Sequence, residues 1–96
     1  MNNNYLGNVR QWQDMFFGGR KSFTKMMNPQ YKSISEAYGI PYALSVTRDE
    51  LKENIQRMLS TDGPFIMECA IKEEDNVLPM TPPGKSVDEM LLEINI

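Results

Sequence analysis

Apolar and polar positions alternate along this chain in two rhythms, helical and extended. Leu51, Ile55, Met58 and Leu59 fall at i, i+4, i+7 and i+8, one face of a helix, and Thr47-Arg48-Asp49-Glu50 before them has the spacing of a capping box. A helix from about Thr47 to Ser60 is predicted, ending near Asp62-Gly63. Short β-prone runs flank it. Tyr42 to Val46 precedes it, and Phe65 to Ile71 follows as an apolar run broken only by Glu68, the signature of a strand covered on both faces. Strand, helix, strand is a βαβ unit, whose right-handed crossover joins parallel strands. Two strands make an incomplete sheet.

Upstream, Leu6, Val9, Met15 and Phe16, with Trp12 and Phe17 close by, lie near helical spacing and stop at Gly18-Gly19, predicting a helix from Tyr5 to Phe17 with a broad apolar face. Asn28-Pro29 reads as a second helix start, because Asn caps free amides and Pro brings a pre-set φ. Tyr31, Ile34, Ala37 and Tyr38 then share a face that Gly39 closes. After Ile71 the chain turns polar at residues 72–76 and enters an arm with Pro79, Pro82, Pro83 and Gly84, where Pro neither donates to a ladder nor continues a helix. Ser86 and Glu89 repeat the capping spacing, and Val87, Met90, Leu91 and Ile94 predict one short amphipathic helix. The expected fold class is α/β, with residues 1–78 as one domain portion and 79–96 as a C-terminal arm.

With 96 residues the chain is at most one small domain, of a size that buries only somewhat over ~60% of its unfolded surface. Ten Lys and Arg against thirteen Asp and Glu give a net charge of -3, and no basic block is present to track a phosphate backbone, which argues against nucleic-acid binding. Cys69 is the single cysteine and there is no histidine, so no intrachain disulfide and no Cys-His pair can form. No apolar run approaches the ~20 residues that cross a bilayer. A soluble, cytoplasmic protein is expected, with no membrane partner. Cys69 within an apolar run reads as a small buried hydrophobe, Glu68 as a strand-end or ion-pair acid, and the eight Met residues as adaptable core filler.

The most specific blocks lie at the two ends. Asn2-Asn3, then Tyr5-Leu6-Gly7 and Val9-Arg10-Gln11-Trp12-Gln13, resembles the end of a thiamine-diphosphate motif, and Val77-Leu78-Pro79-Met80-Thr81-Pro82-Pro83-Gly84 with Ser86-Val87-Asp88-Glu89-Met90 extends the resemblance to the far end. The family it resembles is acetolactate synthase, with Asn28-Pro29, Ala37-Tyr38-Gly39-Ile40 and Asp62-Gly63-Pro64 matching in order between them. The resemblance implies part of a flavodoxin-like, parallel-sheet domain that binds the cofactor diphosphate, and a chain that is the C-terminal piece of a larger catalytic subunit. In that family a Gly-Asp-Gly strand and the Asn-Asn pair together hold magnesium; the second end alone is present here.

By resemblance, the metal ligands are the Asn3 side-chain oxygen and the Tyr5 backbone carbonyl, with the aspartate of Gly-Asp-Gly as the third protein ligand. Asn8 sits beside the cofactor, where many members carry Met. Trp12 lines the substrate tunnel and restricts the 2-keto acid acceptor, with Val9 and Phe16 nearby as substrate or inhibitor contacts. No catalytic residue is assigned, since the activating glutamate belongs to another domain. The implied reaction condenses two pyruvates, or pyruvate with 2-ketobutyrate, with loss of carbon dioxide, in branched-chain amino-acid synthesis. Thiamine diphosphate, Mg2+ and FAD are the parent's cofactors, and none is expected on the isolated chain, which is expected to be inactive. The implied partners are the rest of the catalytic subunit and, in the parent, further copies of it, with a regulatory subunit left open.

Other readings of the same residues exist. Asn2 to Asn4 in isolation read as a solvated terminus, and Trp12 as core packing. The whole chain also reads as a stand-alone interaction domain or truncated remnant, or as a piece of a sister thiamine-diphosphate carboligase or decarboxylase. Trp12 and the Leu-Pro-Met to Pro-Pro-Gly arm argue against the sister enzyme.

Overall fold

A computed structural model describes residues 1–95. The chain forms two compact units, one from Met1–Asn4 with Met27–Lys72 and one from Tyr5–Met26 with the segment from Glu73 onward.

In the first unit, β1 (Tyr42–Ser45) and β2 (Ile66–Cys69) pair in parallel, with Tyr42 opposite Ile66 and Ser45 opposite Cys69. The connection between them is α3 (Arg48–Ser60), so the βαβ unit predicted from the apolar rhythm is present. Thr47 caps α3: its hydroxyl accepts from the Glu50 N–H at 3.3 Å, while Glu50 Oε2 accepts from the N–H groups of Val46 and Thr47 at 2.8 and 2.9 Å. These bonds occupy amides that a helix start otherwise leaves free. Leu51, Asn54, Ile55 and Met58 form the half-buried face, and Leu59 stands outside it at 76% exposed. Asn54 secures the helix by donating to the Leu44 carbonyl and the Ser45 hydroxyl, both at 3.0 Å.

Asn2 extends this sheet. Its N–H donates to the Cys69 carbonyl at 2.8 Å and its carbonyl accepts from the Ile71 N–H at 3.0 Å, a parallel bridge opposite Ala70. Ala43 is the buried apolar residue of the unit, beside the buried hydroxyls of Ser35 and Ser45. The β2 side chains are half-buried and Leu44 of β1 is 46% exposed, so this sheet is covered less than its apolar sequence predicts. The second helix, α2 (Tyr31–Ala37), starts later than Asn28-Pro29 suggests and has no side-chain cap. Asn28 is engaged elsewhere: its amide donates to Asn2 Oδ1 at 2.8 Å and to Asn4 Oδ1 at 3.3 Å.

In the second unit, α1 (Gly7–Phe16) is preceded by an antiparallel bridge between Tyr5 and Lys25 and by a bond from the Leu6 N–H to the Thr24 carbonyl at 2.8 Å. The broad apolar face expected of this helix exists, but it is the polar face that is buried. Arg10, Gln11 and Asp14 are buried, whereas Leu6, Val9, Trp12, Phe16 and Phe17 are 43 to 54% exposed. Polar partners hold that face inward. Arg10 stacks its guanidinium 4.9 Å from the Tyr5 ring centroid and donates to the Asp75 carbonyl at 3.3 Å, and Asp14 pairs with Lys21 at 2.7 Å. Toward the end of the unit, Met80 and Leu91 exchange N–H···O bonds of 2.9 and 2.8 Å. The predicted terminal α-helix is instead a single 3-10 turn over Val87–Glu89 behind the Ser86–Glu89 capping box. Pro82, Pro83 and Gly84 precede it, and the bridge to Met80 draws Leu91 out of helical geometry.

Candidate functional site

The second unit contains a cavity of about 470 Å³ lined by Asn8, Val9, Gln11, Trp12, Val77, Pro79 and Met80. One wall is the exposed side of α1, where residues 8 and 9 each neighbour residue 12, four and three positions away on a 3.6-residue helix. The other wall is the irregular segment from Val77 to Met80, with a cis bond before Pro79 and a bridge from Met80 to Leu91. Gln11 ties the walls together across 66 residues of sequence. Its Nε2 donates to the Val77 carbonyl at 2.9 Å and its Oε1 accepts from the Val77 N–H at 2.7 Å. Nε2 also lies 3.6 Å from Met80 Sδ and 3.7 Å from Met15 Sδ. A buried Gln whose amide is spent on backbone leaves the cavity lining to apolar atoms and the Asn8 amide. Trp12 is fixed by Phe16, whose ring meets it edge-on with centroids 5.7 Å apart and planes at 89°. Such an edge-to-face pair limits ring rotation and so gives the cavity a defined shape.

The first unit carries a polar cluster around Asn2. Asn2 Nδ2 donates to Glu68 Oε1 at 2.7 Å, and Asn2 Oδ1 accepts from Asn28 Nδ2 at 2.8 Å and from the Asn4 N–H at 3.0 Å. The last bond closes a turn whose central residue is Asn3. Asn4 follows with φ of 58°, a left-handed conformation that Asn tolerates better than most residues. Glu68 Oε2 accepts from the Tyr42 hydroxyl. Burial first, then the hydrogen bond to Glu68 and its negative charge, push the Tyr42 phenol up to about 12, so Tyr42 stays a neutral donor at physiological pH.

Of the residues picked out from sequence, Asn8, Val9 and Trp12 meet in the cavity and Phe16 braces Trp12. Asn3 lies in the first unit, at the centre of the turn closed by Asn2. Tyr5 lies in the second, bridged to Lys25 and stacked under Arg10. Gln11, Val77, Pro79 and Met80 join the cavity without having been assigned a role from sequence, and Glu68, read as a strand-end acid, is the hub of the Asn2 cluster. Among the described residues, no three His, Cys, Asp or Glu side chains gather as a metal-binding group, and no helix is long and apolar enough to cross a membrane.

Residues 1–69 match the profile of the thiamine pyrophosphate enzyme, C-terminal TPP binding domain. The chain is 38% identical over 96 residues to the acetolactate synthase isozyme 2 large subunit of Escherichia coli, covering 99% of the chain and 18% of that protein. It is 37% identical to the acetolactate synthase large subunit of Cyanidium caldarium, over 95% of the chain and 16% of the relative. Acetolactate synthase 2, chloroplastic, of Nicotiana tabacum is 34% identical over 97% of the chain and 15% of its own length. The chain thus spans less than a fifth of these relatives.

Proposed function

Because the chain belongs to the thiamine pyrophosphate enzyme family through its C-terminal TPP-binding domain, we propose that it forms one end of the cofactor-diphosphate site and one wall of the substrate channel of an acetolactate synthase catalytic chain. The reading rests above all on the cavity that gathers Asn8, Val9 and Trp12 against Val77, Pro79 and Met80, since both walls come from the sequence blocks most specific to that family. The reaction is condensation of two pyruvates, or of pyruvate with 2-ketobutyrate, with loss of carbon dioxide.

The residues fit the group they would hold. Magnesium takes hard oxygen ligands, a few from protein and the rest from phosphate and water, and the Asn3 side-chain oxygen and Tyr5 carbonyl are donors of that kind. Both are neutral, so the charged ligand comes from elsewhere, the aspartate of a Gly-Asp-Gly strand. Thiamine diphosphate, when bound, supplies the electron sink for decarboxylating a 2-keto acid. The chain's own residues bind and shield. Trp12, braced by Phe16, sets the width of the channel, Asn8 presents an amide on its side, and the Val77–Met80 wall excludes water. FAD and the activating glutamate are assigned to other parts of the parent, so the 96-residue chain by itself makes no acetolactate.

Trp12→Leu in the full catalytic chain tests the reading. Loss of the ring widens a channel that discriminates substrates differing by one methylene, a difference worth roughly 1 to 3 kcal/mol. In competition between pyruvate and 2-ketobutyrate, W12L lowers the preference for 2-ketobutyrate; an unchanged product ratio would make Trp12 a packing residue alone.

A further inference from the structure

The Asn2 cluster is more heavily bonded than a sheet end requires. The Asn2 backbone is already held at both its N–H and its carbonyl by Cys69 and Ile71. Its side chain is then bonded at both ends, by Glu68 on the nitrogen and by Asn28 and the Asn4 N–H on the oxygen. An amide has two chemically distinct ends, and its orientation is set by what faces it. Glu68 accepts at both side-chain oxygens, from Asn2 on one and Tyr42 on the other, so it takes the Asn2 nitrogen and turns the oxygen toward the Asn4 N–H. Tyr42, a donor on the second carboxylate oxygen, fixes Glu68 in turn. With the amide reversed, Asn2 would set its oxygen against a carboxylate and an NH2 group against the Asn4 N–H, and the turn over Asn3 would open.

From this arrangement we infer that Glu68 is a positioning residue for the metal site: it orients the Asn2 amide, which closes the turn that presents the Asn3 side chain to magnesium. Glu68 touches neither metal nor cofactor. The inference deepens the proposed function and rests on it. It assigns a role to the one acid in β2 and to a partner, Tyr42, that lies on the neighbouring strand with Leu44, opposite Glu68, in the same parallel register.

The test is Mn2+ binding in the presence of thiamine diphosphate, read by electron paramagnetic resonance on the full catalytic chain. Removing an outer partner of a metal ligand typically weakens metal affinity roughly 10- to 100-fold. Glu68→Leu, one contact further out than such a partner because it acts through Asn2, shows a loss near the lower end of that range, while Glu68→Gln, which keeps an acceptor oxygen for Asn2, loses clearly less. A purely structural role would lower the melting temperature of E68L but leave the Mn2+ affinity of the folded protein unchanged, and that result overturns the inference. If E68L does not fold, Asn2→Asp decides: the carboxylate of that variant cannot donate to Glu68 and binding weakens, whereas N2D/E68Q restores a donor–acceptor pair with the roles exchanged and recovers affinity. A double variant no better than N2D is equally fatal. Asn3→Ala separates the two levels. Parent binding that survives N3A removes the proposed function along with the inference, whereas binding lost in N3A but intact in E68L removes the inference alone.

Discussion

Gln11 offers a direct way to loosen one wall of the cavity, since its side chain joins the two walls. Its side chain is 4% exposed and holds the Val77 N–H at 2.7 Å and the Val77 carbonyl at 2.9 Å. Gln11→Leu removes both bonds at similar volume. A net intramolecular hydrogen bond contributes about 0.5 to 1.5 kcal/mol, so the pair contributes about 1 to 3 kcal/mol to the closed position of this segment. Val77 is 70% exposed, so water satisfies its freed groups and the larger cost of buried orphans does not apply. The expected signature is local: exchange of the Val77 amide speeds up roughly 5- to 150-fold, while amides of α3 in the other unit keep their rates. Gln11→Glu gives a partial effect, because a carboxylate still accepts from Val77 N–H and no longer donates to its carbonyl. Gln13→Leu, which loses bonds to Ser22 and Thr24, serves as the control. An unchanged Val77 rate in Q11L would refute the view that Gln11 holds the two walls together.

Thr47→Ala removes the α3 cap and costs about 1 kcal/mol, seen as a fall of several degrees in melting temperature. Glu50, held below its ordinary range by the Val46 and Thr47 N–H groups, adds stability above its unfolded pKa that is lost as pH falls through the lower folded value; a Glu50→Gln melting curve shows a weaker acid dependence. Tyr42 works in the opposite sense. Its phenol is raised to about 12 in the folded chain against about 10 unfolded, so its stabilisation is complete below pH ~10 and is lost on rising toward 12. Partial solvent access reduces the full linkage value to roughly 1 to 2 kcal/mol, and Tyr42→Phe removes that component of the alkaline decline. The purified 96-residue chain, given pyruvate, thiamine diphosphate, Mg2+ and FAD, forms no acetolactate; turnover above background would show that it holds a complete site.

The parts of the fold legible in sequence are those specified locally. Thr47 and Glu50 are three positions apart and need only each other and the chain between them to start α3, and the runs at Tyr42 and Phe65 announce their strands. The orientation of α1 was not legible, because a two-sided helix does not say which side its own unit covers; Arg10, Gln11 and Asp14 found partners at Tyr5, Asp75, Val77 and Lys21, and the apolar side remained outward. Asn28 looked like a helix cap because its type suits one, yet the same amide serves Asn2 and Asn4, a pairing 26 residues away that no local pattern encodes. In the candidate site, Val9 and Trp12 were readable on the apolar side of the expected helix, and Asn8 came only from the family resemblance. Val77, Pro79 and Met80 entered it only through folding, with Gln11 as the link, and nothing in the helix sequence sets Gln11 apart from its polar neighbours Arg10, Gln13 and Asp14.

If Asn3 belongs to the magnesium–diphosphate end of an acetolactate-forming site, its loss shows first in the magnesium dependence of the reaction. Acetolactate formation from pyruvate by the full catalytic chain, parent and Asn3→Ala, with Mg2+ titrated at saturating thiamine diphosphate, addresses it most directly. The predicted result is product from the parent, and from N3A either none or product only at much higher Mg2+. Equal rates with the same Mg2+ dependence, or a parent that makes no acetolactate, would contradict it.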